Sequence, residues 1–204
     1  MLSGRGIRLE PLDFGHVPAL CEAAAQDRSF YRWSFVPDGE AEMTRYVTDA
    51  RAQWEAGRGL PFAIVRAVDG KAVGSTRFFD LERWNWPADH TRAGRGTPDA
   101  GEIGFTWLAA QTIGGGVNAE AKRLLLAHAF ETWDLLRVCF HTDARNERSA
   151  AAIEKIGARC EGLLRSHRLA TDLRARDSKR YSILAAEWPE VKARFAASIE
   201  GRAS

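Results

Sequence analysis

Three consecutive glycines, Gly114, Gly115 and Gly116, separate a strand-like run from a strong helix former. Upstream, Ile103, Phe105 and Trp107 alternate with Gly104, Thr106 and Leu108; downstream lies VNAEAKRLLLAHAFETW. A strand, a glycine turn and a helix start together make an anion site. The first-turn N–H groups lack intrahelical partners, and the helix dipole adds partial positive charge there. Glycine lets a phosphate reach the backbone with no Cβ in the way. Gly114-Gly115-Gly116-Val117-Asn118-Ala119 fits the dinucleotide pattern G-x-G-x-x-A. That pattern normally opens a doubly wound sheet, yet about a hundred residues precede it here, and too little chain follows for several more βαβ units. A turn with no ligand is a second reading, against which stands the entropy cost of three glycines in a row. A Walker phosphate site is excluded, because no Lys-Ser/Thr follows the last glycine.

The elements that position this turn follow from periodicity and punctuation. Gly6–Leu12 reads as a strand and Phe14–Gln26 as a helix capped by Asp13. Asp27–Pro37 is an aromatic-rich connection. A helix over Glu40–Ala56 presents Met43, Tyr46, Val47, Ala50 and Trp54 on one face. Pro61–Val68 and Lys71–Leu81 form a hairpin around Asp69-Gly70. Glu82–Ala100 is a long polar loop with Trp84 and Trp86. After the central strand, turn and helix, Leu136–Thr142 is a strand and Asn146–Gly157 a short helix. Glu161–Leu169 and Lys179–Ala186 close a hairpin around ATDLRARD, and Trp188–Ser198 forms a last helix. This order predicts an α/β mixed sheet with helices on both faces.

Composition narrows the class. The chain has 204 residues, 45% hydrophobic and 27% charged, enough for one sizeable core and a single domain over 1–204. A net charge of +2 does not imply a nucleic-acid partner. Cys21, Cys139 and Cys160 are odd in number and far apart, which suggests neither a disulfide framework nor a metal site, and so a reducing compartment. The start, MLSGRGIRLEPL, lacks the apolar core of a signal peptide, and no run approaches transmembrane length. The expectation is a cytoplasmic protein without a membrane partner.

Gln111-Thr112-Ile113-Gly114-Gly115-Gly116 matches the Q/R-x-x-G-x-G/A cofactor motif of the GNAT N-acetyltransferases, and Asn146–Gly157 is similar to their second conserved block. GEIGFTWL, VNAEAKRLLLAHAFE, HTDARNERSAAAIEKIGA and YSILAAEWP resemble the RimJ/RimL-like branch. The resemblance spans roughly Pro61 to Pro189, and several blocks in the correct order are more specific than one glycine motif. It implies a twisted, mostly antiparallel sheet of about seven strands and transfer of an acetyl group from acetyl-CoA to a primary amine, with no metal. The acceptor is a protein N-terminus or a small-molecule amine, and the chain is a monomer or homodimer. The alternative is an acyl-CoA-binding sensor that kept the fold and lost catalysis.

The resemblance also assigns residues. The backbone at Thr106, Trp107 and Leu108 pairs with the pantetheine arm, and an N–H near Leu108 polarises the thioester carbonyl. Gln111, Thr112, Gly114, Gly115, Gly116, Val117 and Asn118 wrap the pyrophosphate. Asn146 holds a pantetheine amide, or is a plain helix N-cap; one residue could serve both ends. Direct attack by an amine needs a base and a proton for the leaving thiolate. Glu102 is the candidate base, alone or through a water; its other reading is an exposed strand-end carboxylate. The family's acid is a tyrosine seven residues after the asparagine, where this chain has Ile153. Ser149 is the available hydroxyl and also touches the cofactor site. Trp33, Phe35, Trp84 and Trp86 are candidates for an aromatic acceptor pocket. His128 and His141 read as core or surface histidines.

Overall fold

The computed structural model describes the backbone of residues 1–200 and side chains as far as 197. One eight-stranded sheet runs in the order β1-β2-β3-β4-β5-β6-β8-β7. The strands are β1 (Leu2–Ser3), β2 (Ile7–Pro11), β3 (Leu60–Arg66), β4 (Ala72–Glu82), β5 (Ala100–Leu108), β6 (Arg137–Asp143), β7 (Arg159–Leu169) and β8 (Ala175–Leu184). All neighbours are antiparallel except β5 and β6. The helices are α1 (Val17–Ala24), α2 (Gly39–Glu55), α3 (Val117–Ala127), α4 (Glu147–Lys155) and α5 (Trp188–Glu200). The sheet therefore has one strand more than expected, the two-residue β1 at its edge.

The two faces are covered differently. α1 packs on β4 and α2 on β3, with Tyr46 of α2 bonded to Ser75 of β4. The opposite face carries α3, α4 and α5: Phe78 meets the rings of His128 and Trp133, and Tyr181 donates to Glu154 of α4. Met43, Val47 and Ala50 of α2 are buried as their spacing predicts, while Trp54 is 41% exposed at the helix end. Asp13 does cap its segment, but the first turn, Phe14–His16, is a tighter 3₁₀ turn. α3 continues past Ala127 as a wider π turn over His128–Thr132. Among the described residues no helix is long and apolar enough to cross a membrane.

Candidate active site

β5 and β6 pair over only three positions, Ala100↔Arg137, Gly101↔Val138 and Glu102↔Cys139. Beyond them the strands part. β5 stays with β4 as far as Gly74↔Leu108, and β6 stays with β8 as far as Asp143↔Ser178. A wedge opens with an unpaired strand edge on each side, which an extended chain could bond to.

The parting begins at a bulge in β5. Between Arg77↔Gly104 and Ser75↔Trp107, β5 carries one residue more than β4. Phe105 accommodates it at a φ of 50°, a strained position for a bulky side chain. Such a bulge bends the strand and adds twist. It also overturns the simple alternation expected there: Ile103 and Trp107 lie on opposite faces. Phe79 meets the Phe105 ring edge-on at 4.9 Å, and the Arg77 guanidinium lies 4.1 Å from it, with Tyr46 4.7 Å away. On the α3 face, Thr106 Oγ1 contacts Thr76 Oγ1 at 2.8 Å and Lys122 Nζ at 2.5 Å.

Both parting strands end at helix starts. After Leu108, a 3₁₀ turn over Ala110–Thr112 and the glycines lead into α3. Thr112 is buried and bonds Ala109 O at 2.7 Å, and the Gln111 N–H donates to Gln26 Oε1 at 3.4 Å. Gly114 and Gly116 have φ of 85° and 89°, which glycine adopts without a Cβ penalty; Gly115 lies between them. No side chain caps α3. Its first backbone bond is Glu120 N–H to Gly116 O, so the amides of Val117, Asn118 and Ala119 are those a helix start leaves unpaired. Asn118 Oδ1 is buried without a partner. After Asp143, Asn146 caps α4 by accepting the Ser149 N–H at 3.1 Å, which leaves its NH₂ group for another acceptor. Ile153 is a buried core residue.

Glu102 is 4% exposed, so it is not a solvated strand-end carboxylate. Arg168 grips both its oxygens, at 2.9 and 3.4 Å, and reaches Asp80 at 3.1 Å. His141 Nδ1 lies 2.9 Å from Glu102 Oε2, at ion-pair distance although not aligned for a hydrogen bond. The His167 ring is 4.8 Å from that of His141. Burial first, then the charge of Arg168, lowers the His167 pKa. None of these partners is legible beside Glu102 in the sequence, because they come from β6 and β7.

The segment after α1 is tied to three distant elements. Tyr31 donates from its hydroxyl to Leu108 O at 2.9 Å, and burial pushes its pKa up. Arg148 of α4 donates to Phe30 O at 2.7 Å, and Thr171 of the β7–β8 turn to Arg32 O at 2.5 Å. A cavity of about 660 Å³ lies here, lined among others by Tyr31, Phe35, Arg45, Tyr46 and Thr171. Trp33 lies against the guanidinium groups of Arg32 and Arg145 at 4.7 and 4.3 Å. Trp84 and Trp86 do not join it. They follow the far end of β4, where Trp86 Nε1 and the Trp84 backbone N–H both donate to Asp99 and Trp86 stacks on His90.

A splayed parallel pair in a mostly antiparallel sheet, ending at two helix starts, defines an acyltransferase architecture. The chain belongs to the GNAT acetyltransferase family: the model of its acetyltransferase (GNAT) domain matches residues 7–159. Its likeness is to the RimJ/RimL-like branch. It is 28% identical over 185 residues to YdaF of Bacillus subtilis (strain 168), provisionally named a ribosomal N-acetyltransferase, covering 88% of this chain and 90% of that one. A Mycobacterium smegmatis RimJ structure in complex with CoA-disulfide is 25% identical with a TM-score of 0.74, covering 94% of this chain and 88% of that one. A GCN5-related N-acetyltransferase from Brucella melitensis, also 25% identical, superposes with a TM-score of 0.81, covering 96% and 83% of the two chains.

Proposed function

We propose that this chain transfers an acetyl group from acetyl-CoA to a primary amine, a protein N-terminus or a small-molecule amine, by direct attack. The observation that carries this reading is the β5–β6 wedge, whose free edges end at the uncapped start of α3 and at Asn146. Coenzyme A suits these residues: the left-handed glycines clear a path to the unpaired amides of Val117, Asn118 and Ala119, which donate to phosphate oxygens. Bound acetyl-CoA would supply an activated thioester. The Thr106–Leu108 backbone would pair with the pantetheine arm, and an N–H near Leu108 would hold the carbonyl oxygen. Gln111, Thr112, Gly114, Gly115, Gly116, Val117 and Asn118 would cradle the pyrophosphate. Asn146 would bond a pantetheine amide through its NH₂ group while its oxygen caps α4.

Glu102 would take the amine proton, directly or through one water, and Ser149 would protonate the leaving sulfur. The acceptor would enter by the cavity beside Phe35 and Trp33. The names of the ribosomal relatives favour a protein N-terminus, which the test weighs against small amines. That test is thiol release from acetyl-CoA over a panel of tetrapeptides with free N-termini and small primary amines. At least one amine should release CoA, and Glu102→Gln should slow that turnover about 10²–10⁴-fold with acetyl-CoA affinity nearly unchanged. Acetyl-CoA binding without thiol release for any amine would favour the sensor reading. Full turnover by Glu102→Gln would remove Glu102 as the base.

A further inference from the structure

Transfer of an acetyl group to an alkylammonium releases a proton: R–NH₃⁺ and acetyl–S–CoA give R–NH–acetyl, HS–CoA and H⁺. The candidate base cannot discharge that proton straight into bulk water. Glu102 is 4% exposed, and Arg168 occupies both carboxylate oxygens. Among the described residues one other titratable side chain lies at ion-pair distance from it, His141, whose Nδ1 is 2.9 Å from Oε2. His141 is itself buried, with its side chain 7% exposed, and neither ring nitrogen has a hydrogen-bond partner. Its ring faces that of His167 at 4.8 Å, and His167 Nδ1 is buried and unpartnered as well. His167 stands on β7, an edge strand most of whose residues are exposed. Three imidazole nitrogens without hydrogen-bond partners thus belong to two neighbouring rings, one against a buried carboxylate and one on the edge strand. Buried polar atoms are ordinarily paired, so three together call for a cause.

We propose that His141 and His167 carry the amine proton from Glu102 to solvent. The inference rests on Glu102 as the base and extends that reading to the fate of the proton. The first N–H bond of the ammonium breaks and an O–H bond forms on Glu102; the second proton leaves the nitrogen as the C–S bond breaks and replaces the one Ser149 gives to the sulfur. The proton then passes to His141 Nδ1, and the proton on His141 Nε2 passes to His167 Nδ1. His167 releases its Nε2 proton to water or buffer; the carboxylate is restored once its proton has passed to His141, and tautomer exchange resets the two neutral rings. Each electron pair stays on its own atom. The charged surroundings favour passage over retention. His167 feels Arg168 of β7 and Arg176 of β8. These cations disfavour a lasting imidazolium, and Glu102 is the anion that draws the proton in. The lowered His167 pKa agrees with a ring that is neutral between turnovers.

His141→Gln and His167→Gln test the path, assayed with the panel amine that gives most thiol release. In dilute buffer each should lower kcat about 10-fold or more, within the range of a single acid–base group. Free imidazole at constant pH and ionic strength should restore most of that loss. The KM for acetyl-CoA should stay within about 2-fold of wild type, since neither histidine belongs to the glycine turn or to Thr106–Leu108. A merely structural role would not respond to imidazole. Unchanged kcat in dilute buffer, or a loss that imidazole does not relieve, overturns the path. If Glu102→Gln is inactive in the same assay, the base reading survives that result; if Glu102→Gln is fully active, the base reading falls. His167 is partly exposed, so its variant decides the question should His141→Gln fail to fold.

Discussion

Lys122 lies beneath the sheet with two threonine hydroxyls for partners, Thr106 at 2.5 Å and Thr76 at 3.5 Å. It is 6% exposed, and burial alone pulls its pKa down to about 7. In an unfolded chain the amine titrates near ~10.4. Between about pH 7 and that value the unfolded chain holds a proton that the folded chain has given up, so stability rises with pH across this window and falls as pH drops toward 7. Lys122→Met keeps the length of the side chain and removes the charge. Its thermal midpoint should exceed that of wild type at pH 7 and converge on it near pH 10. Each kcal/mol regained corresponds to about 2–4 °C for a chain of this size. Equal midpoints at both pH values would show that burial costs the ammonium nothing measurable. The sequence gives no sign of this lysine, because a charged residue in VNAEAKRLLLAHAF reads as a solvated helix position. Only the packing of α3 on β4 and β5 buries it.

The glycine turn and the β5 bulge are the elements on which the wedge depends, and they differ in how far they could be read. The turn was legible: consecutive glycines between a strand and a helix former announce left-handed backbone, and Gly114 and Gly116 have it. Replacing Gly116 by Val puts a β-branched side chain at a φ of 89°, a strain of order 1–3 kcal/mol. We expect a drop of a few degrees in thermal midpoint and a far larger loss, at least about 10-fold, in acetyl-CoA affinity measured by calorimetry. At Gly114 an added Cβ meets nothing within 4 Å, so Gly114→Val separates backbone strain from local crowding. A folded variant that binds acetyl-CoA normally would place the phosphates elsewhere. The bulge was not legible. Period-two counting assigns Ile103, Phe105 and Trp107 to one face, and phenylalanine is not a residue that signals a positive φ. The closing hairpin shows a third case. ATDLRARD reads as a loop by its charge, yet its last residues, from Ala175, are already in β8. Charged residues are common on strands near a sheet edge, so polarity alone misplaces that boundary.

At the scale of the whole molecule, the proposed acceptor side is assembled from parts far apart in sequence. Tyr31 reaches Leu108 across 77 residues, Arg148 reaches Phe30 across 118, and Thr171 reaches Arg32 across 139. The segment from Arg28 to Pro37 is thereby tied to β5, α4 and the β7–β8 turn, and it forms one wall of a cavity whose other wall is α2. No local pattern encodes such ties, which is why four aromatic residues could be named in advance as a pocket while only Phe35 lines the cavity. The arrangement predicts that the wall and the cofactor turn can be disturbed separately. Arg148→Ala removes the α4 tie from an exposed donor, so stability should fall by about 1 kcal/mol or less, or about 2–4 °C. The freed segment should bind the amine less well, raising its KM several-fold while the KM for acetyl-CoA holds. Tyr31→Phe is the contrasting case, because it strips a buried partner from the Leu108 carbonyl at the end of β5, at a cost of about 1–3 kcal/mol. Since Leu108 borders the cofactor wedge, both KM values should rise there. If Arg148→Ala raised the KM for acetyl-CoA as much as that for the amine, the two sites would share one wall, and the cavity beside Phe35 would not be a separate entrance for the acceptor.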